Sequence, residues 1–180
     1  SEGDVVKAGD ALFVNKAFPE VKFASPVSGK VIEVVRGDRR KVLCVKVEVG
    51  SEQQYLDFGI KEVSKLSGED VKRNLLDAGL FGYINQLPYA VSTNPEVQPE
   101  AIFVSALRDM PLASDFEVEL AGNEDAFQVG LSALNKIAKV HLGIGPKQVN
   151  STLTKVADVE ITIYDGPCPA GNVGVQINNT

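Results

Sequence analysis

Along the first fifty positions, apolar residues alternate with polar ones or gather in short runs punctuated by glycine and proline. Val5 and Val6 precede the turn Lys7-Ala-Gly-Asp10, and Ala11–Val14 reads as a short strand. Glu20–Ala24 alternates with period two, as a half-buried strand does. Ser25-Pro-Val-Ser-Gly29 supplies a turn, because proline fixes φ and glycine permits a tight backbone. Lys30–Val35 and Val42–Val49 are further strands flanking the charged turn Arg36–Lys41, and Gly50-Ser51 ends the unit. Short strands at this spacing predict a small β-sandwich or barrel.

The pattern changes over 51–100. Ser67 stands three residues before Asp70, a helix-start signature. Val71, Leu75 and Leu76 then share a helical face that ends at Ala78-Gly79. Phe81–Tyr89 reads as an ordered loop, and Ser92–Pro99 as a connection between domains. Over 101–180, strand and helix patterns alternate. Ala101–Ser105 is a continuous apolar run, as in a strand covered on both faces. Asn123 is placed to cap a helix with Phe127, Gly130, Leu131, Leu134 and Ala138 on one face. Lys139–Ile144 is the next strand, Asn150–Val156 a short helix and Val159–Tyr164 a third strand. This order predicts a parallel sheet. Asp165–Ile177, rich in proline and glycine, reads as an ordered loop at the carboxyl end of that sheet, where such domains place ligands.

Composition narrows the function classes. Hydrophobic residues at 44% and charged residues at 23% match an ordinary globular protein. No apolar run is long enough for a membrane helix. The net charge of −6 argues against nucleic acid, which needs clustered Lys and Arg to neutralise phosphate. Cys44 and Cys168 lie far apart with no CxxC pair, so a cysteine-built zinc or iron–sulfur site is not expected. Cys44, in an apolar run, is expected to be a buried free thiol; one disulfide is left open, with a reducing compartment the simpler reading. The single histidine, His141, rules out a multi-histidine metal site, and its apolar surroundings favour a core or interface role over catalysis. Both chain ends read as cut, which predicts a piece of a longer protein.

Several motifs carry candidate chemistry. Gly3-Asp-Val-Val-Lys-Ala-Gly9 followed by Ser25-Pro-Val-Ser-Gly29 resembles the biotinyl/lipoyl hammerhead unit. Lys16 and Lys22 are the only lysines in the interval where carrier domains are modified, and neither has the carrier context. Arg36, Arg39, Arg40 and Lys41 form the one basic cluster, suited to an acidic partner surface or lipid headgroups, with a solvated tip the plainer reading. Gly143-Ile-Gly145 lacks the third glycine of a dinucleotide loop. Phe81, Tyr83, Leu87, Pro88 and Tyr89 form an aromatic, apolar cluster read as a domain-packing plug, although its lining would suit a quinone headgroup.

Pro19–Gly29, Arg36–Leu43 and Pro169–Ile177 together resemble the A subunits of the sodium-translocating NADH:quinone oxidoreductases (Na+-NQR), over essentially the whole chain. The family motif reads His-Pro-Ala-Gly where this chain has Cys168-Pro-Ala-Gly171. The resemblance implies a respiratory complex on the cytoplasmic face of the bacterial inner membrane that couples NADH oxidation and quinone reduction to sodium export. It implies a peripheral subunit with an assembly role and a quinone-contacting role, and no tightly bound cofactor or metal of its own. FAD, FMN and iron–sulfur centres are expected in partner subunits, through which the chain meets the membrane. A flavin-cradling glycine loop of related electron-entry subunits corresponds to Gly79-Leu-Phe-Gly-Tyr-Ile-Asn-Gln-Leu-Pro88, where bulky residues replace most glycines and keep backbone amides from a phosphate.

The expected architecture is α+β to α/β. A β-rich hammerhead, or barrel-sandwich, module occupies 1–50, a helical segment and linker 51–100, and a Rossmann-like domain with a mainly parallel sheet 101–180. No catalytic residue is expected. Quinone or interface candidates are Phe81, Tyr83, Tyr89, His141, Pro169, Gly171 and Asn172. The alternatives are an electron-entry subunit of the Rnf or complex I type that binds NADH or FMN itself, and a biotin or lipoyl carrier module.

Overall fold

The computed structural model describes residues 1–149 and 151–180. Asn150, first residue of the helix expected at 150–156, lies outside them. The chain divides into two compact units, one formed by 1–60, 73–86 and 90–95, the other by 61–72, 87–89 and 96–180. The segment 51–100, expected as a helical segment and linker, is thus shared between them.

In the first unit, β1 (Val5–Val6), β4 (Gly29–Arg36) and β5 (Val42–Val49) form an antiparallel sheet in the order β1-β4-β5. The strands β2 (Ala11–Val14) and β3 (Lys22–Ala24) make a separate hairpin, with Phe13 stacked on Phe23 at 4.7 Å. The two turn motifs are stitched together: Gly9 N–H donates to Ser25 O at 2.9 Å, and Ser25 N–H to Asp10 O at 2.8 Å. Their regular spacing in sequence thereby becomes a fixed backbone crossing. Packing does not stop at Gly50. Gln54 N–H donates to Ser28 Oγ at 2.8 Å, and Leu56 N–H to Ala8 O at 2.9 Å. The expected single loop at Phe81–Tyr89 is instead a 3-10 turn, Phe81–Tyr83, followed by the hairpin strands β6 (Asn85–Gln86) and β7 (Val91–Ser92). Cys44 is exposed rather than buried, since β5 is an edge strand of a sheet with an open face.

The helix α1 (Gly68–Asp77) starts as its sequence dictates. Ser67 Oγ accepts from Asp70 N–H at 3.2 Å, while the Asp70 carboxylate accepts from Ser67 N–H at 3.1 Å. It ends where Gly79 takes φ +71°, and Leu80 N–H reaches back to Leu75 O at 2.9 Å.

The second unit is built on a parallel sheet ordered β10-β9-β8, with β8 at Ala101–Ser105, β9 at Lys139–Ile144 and β10 at Glu160–Ile163. Alternation along β9 sends Val140, Leu142 and Ile144 into a core with Ala106, Leu120, Leu131 and Leu153. Phe127 and Leu134 of α3 (Glu124–Ile137) pack against that core. Two details of the expected helix differ. Gly130 is exposed and off the packing face, and Asn123 makes no side-chain cap. A short helix, α2 (Phe116–Leu120), precedes it, capped by Asp115 through Glu117 N–H at 3.0 Å. The short helix expected at 150–156 is a 3-10 turn, Thr152–Lys155, capped by Ser151. The second half of the expected loop 165–177 is also helical: α4 (Val173–Asn178) begins at Asn172, whose Oδ1 accepts from Gly174 N–H at 2.8 Å. A helix there follows from the Asn cap, which the β-branched and glycine-rich sequence behind it obscures.

Candidate functional site

The carboxyl edge of the parallel sheet brings Gly171 and the Gly143-Ile-Gly145 strand end, both singled out in the sequence, close to one another. Its floor is Ser105 at the end of β8 and Gly143 on β9. Gln176 of α4, 1% exposed, covers them. Its Nε2 donates to Ser105 Oγ at 2.9 Å and to Ala170 O at 3.3 Å. Ser105 Oγ donates to Gly171 O at 3.0 Å. A methyl group at Gly143 would stand 2.4 Å from Gln176 Oε1, so only glycine lets this side chain lie on the strand. Beside it, Gln148 accepts Gly145 N–H at 2.8 Å and donates to Ala106 O at 3.0 Å. Of the backbone donors a phosphate would need at Gly143-Ile-Gly145, the Gly145 N–H is therefore taken by the protein's own Gln148 carboxamide.

Gly171 meets the chain closely from the loop side: a Cβ there would lie 2.6 Å from both Leu107 O and Asp109 Oδ1. Asp109 Oδ2 is buried without a hydrogen-bond partner. Cys168, exposed, points its thiol at Met110 Sδ, 3.2 Å away, and is followed by a cis peptide to the exposed Pro169. Asn172 spends its side chain on the α4 cap. Among the described residues no group of His, Cys, Asp and Glu has the arrangement of a metal site.

His141 lies on the other face of β9 from the core, 8% exposed, stacked on Phe103 at 4.8 Å with the rings 10° from parallel. Its Nδ1 has no hydrogen-bond partner; Glu160 Oε2 is 3.8 Å away. The ammonium of Lys139, hydrogen-bonded and ion-paired to Glu160, holds that carboxyl below the usual carboxylate range. His141 is thus a packed residue, stacked on Phe103, with Glu160 near its ring at the sheet's amino end.

The remaining candidates are dispersed. Phe81 is 4% exposed in the first unit, where Phe23 lies against the neighbouring Gly82. Tyr83 of that unit is 75% exposed, and Tyr89 of the second is 78% exposed. The seven candidates fall in both units, with Phe81 and Tyr83 in one and the rest in the other. The sequence reading missed Gln176 and Gln148, both polar residues in unremarkable contexts. Only Gln148, three residues after Gly145 and past Pro146, carried a capping signal.

A concavity of about 250 Å³ lies where the start of α1 meets the end of α3, lined by Ser67, Gly68, Glu69, Gln98, Lys136 and Ile137. Gln98 Nε2 donates to Ile137 O at 2.6 Å, which takes up the carbonyl at the last residue of α3.

Comparison with known proteins covers both units. Residues 1–50 match the family model for the NqrA N-terminal barrel-sandwich hybrid domain, and residues 66–180 that for the NqrA second alpha/beta domain. Relatives named as the A subunit of Na(+)-translocating NADH-quinone reductase are similar over 98% of the chain: 38% identical in Yersinia pseudotuberculosis, 36% in Photorhabdus laumondii and 34% in Pseudomonas aeruginosa. The chain spans 40% of the length of these relatives.

Proposed function

Because the chain belongs to the NqrA family, we propose that it works within the peripheral NqrA subunit of a respiratory complex that couples NADH oxidation and quinone reduction to sodium export. It acts at the cytoplasmic face of the bacterial inner membrane and is held there by partner subunits. It contributes to assembly and to a quinone contact. Hydride and electron transfer belong to FAD, FMN and iron–sulfur centres in the partners. We read the N-terminal part, 1–50, as a biotinyl/lipoyl-like hammerhead, 51–100 as a helical segment and linker and 101–180 as a Rossmann-like domain.

The observation that carries this reading is the closed carboxyl edge of the parallel sheet. The order β10-β9-β8 is that of one half of a doubly wound dinucleotide fold, which binds its ligand at this edge with free backbone amides. Here Gln148 takes the Gly145 N–H and Gln176 fills the space over Gly143. A scaffold whose own glutamines cover the carboxyl ends of β8 and β9 supports a non-redox subunit over an electron-entry subunit. No helix among the described residues is long and apolar enough to cross a membrane, in keeping with attachment through partners.

Calorimetric titration with a water-soluble short-chain quinone tests the reading, with FMN and NADH run in parallel. Saturable quinone binding without binding of FMN or NADH is the expected result. Binding of FMN or NADH would overturn it in favour of the electron-entry alternative.

A further inference from the structure

We infer that the Arg36–Lys41 tip between β4 and β5 is a contact for an anionic lipid bilayer. Arg36, Arg39, Arg40 and Lys41 are all exposed and stand against the single acid Asp38, in a chain whose net charge is −6. Several cations elsewhere in the protein are matched: Lys46 with Glu33, Arg108 with Glu119 and Lys139 with Glu160. Among the described residues, none of the four cations at the tip has a carboxylate within ion-pair distance. The one side-chain bond there runs from Arg36 Nη1 to Arg40 O at 3.2 Å.

The tip is also built rather than loose. Gly37 N–H donates to Lys41 O at 2.8 Å, and β4–β5 pairing continues out to Arg36 opposite Val42. Arg39 and Arg40 both adopt left-handed backbone, at φ 54° and 60°, a conformation that L-residues with long side chains rarely keep. The chain therefore tolerates strain to present two consecutive arginines in a tight, exposed turn. Leu43, 61% exposed, lies against Gly37 at the base of the turn.

Clustered cations beside an exposed leucine match the headgroup region of an anionic leaflet, where charge is attracted to phosphate and an apolar side chain reaches the acyl boundary. An acidic protein surface is the less favoured partner. Its fixed carboxylates are best met by guanidinium forks held in place, and neither Arg39 nor Arg40 is held by a side-chain bond. The inference rests on the charge and geometry of the tip and goes beyond the subunit reading, since it needs neither quinone nor another protein.

The test is co-sedimentation of the 180-residue chain with vesicles of phosphatidylcholine alone and of phosphatidylcholine mixed with phosphatidylglycerol, at low and high salt. Binding is expected only to the mixed vesicles, and to fall as salt rises. Each basic side chain near an anionic leaflet is worth roughly fivefold in affinity, so R39E/R40E is expected to weaken binding on the order of 20-fold or more. K147E/K155E, which reverses exposed lysines in the other unit, is expected to leave binding unchanged. Circular dichroism checks that each variant folds, and R36Q/K41Q replaces the double reversal if that variant does not. Equal binding to both vesicle types, undiminished binding by the tip variants, or an equal loss with K147E/K155E would overturn the proposal. So would tighter binding to soluble polyglutamate than to the mixed vesicles, which would move the tip to an acidic protein. Quinone titration remains a separate readout, so failure here leaves the subunit reading standing.

Discussion

Gln176 lies across Gly143 so closely that a single methyl group on the strand would stand 2.4 Å from its Oε1. At 1% exposure the glutamine has nowhere to retreat, and its Nε2 is held by Ser105 and Ala170. Gly143→Ala is therefore expected to destabilise the second unit by about 1–3 kcal/mol, the usual cost of overpacking a closed site. Gln176→Ala alone is expected to cost about 1–3 kcal/mol through its lost bonds and the void it leaves. The pair should be strongly non-additive, because truncating Gln176 removes the clash that makes Gly143→Ala costly. Urea unfolding followed by circular dichroism measures all three, and costs that simply add would refute the contact.

This relationship marks where the sequence was legible and where it was not. The β9 strand could be read from its apolar run, and α1 from a cap and a stop that act within a few residues of one another. Phe116–Leu120 does not read as a helix in sequence, because Phe-Glu-Val-Glu-Leu alternates with period two, like a strand, yet it is one helical turn fixed by Asp115 and by core contacts of Phe116 and Leu120. The α4 helix hid behind two prolines and three glycines, although Asn172 was a usable cap signal. Gln176 carried no local signal at all. Its role depends on a glycine and a serine on other strands, and that pairing exists only after the chain has folded.

The aromatic candidates separate into packing and surface. Phe81 is 4% exposed, and Phe81→Ala is expected to destabilise the first unit by about 3–5 kcal/mol. Tyr83 and Tyr89 are at least three-quarters exposed, so Tyr83→Ala and Tyr89→Ala should change stability by about 0.5 kcal/mol or less. A quinone contact made by either tyrosine would appear as weakened quinone binding with unchanged thermal unfolding. A loss of binding that tracks the loss of stability would instead mark a packing effect.

Both thiols are open to solvent in the folded protein. The native chain is expected to release two equivalents of thionitrobenzoate from Ellman's reagent without denaturant, and Cys44→Ser or Cys168→Ser to release one each. The Met110 sulfur, 3.2 Å from Cys168, is a weak acceptor that leaves the thiol reactive. A Cys44 that reacts only in urea would mean that the open face of the β1-β4-β5 sheet is covered in solution.

Acid sensitivity follows from carboxylates held below their ordinary value of 4.5. The Ser114 hydroxyl and then the Arg108 guanidinium, both hydrogen-bonded to Glu119, lower its pKa; the Lys139 ammonium does the same for Glu160. In each case the folded state binds its proton less readily than the unfolded chain. The unfolded chain therefore takes up more protons in the window just below the ordinary value, and stability falls as pH falls through it. Above that window the contribution is fully present and constant. Glu119→Gln and Glu160→Gln should each flatten the acid limb of a plot of unfolding midpoint against pH while leaving its slope near neutrality unchanged. Because all of these groups face solvent, added salt should shrink the same limb in the parent protein. An acid limb that keeps its slope in the double variant would assign the sensitivity to other carboxylates, with Glu62, lowered by Lys65 and Ser64, and Glu124, lowered by its own and the Gly122 backbone N–H, next to be replaced.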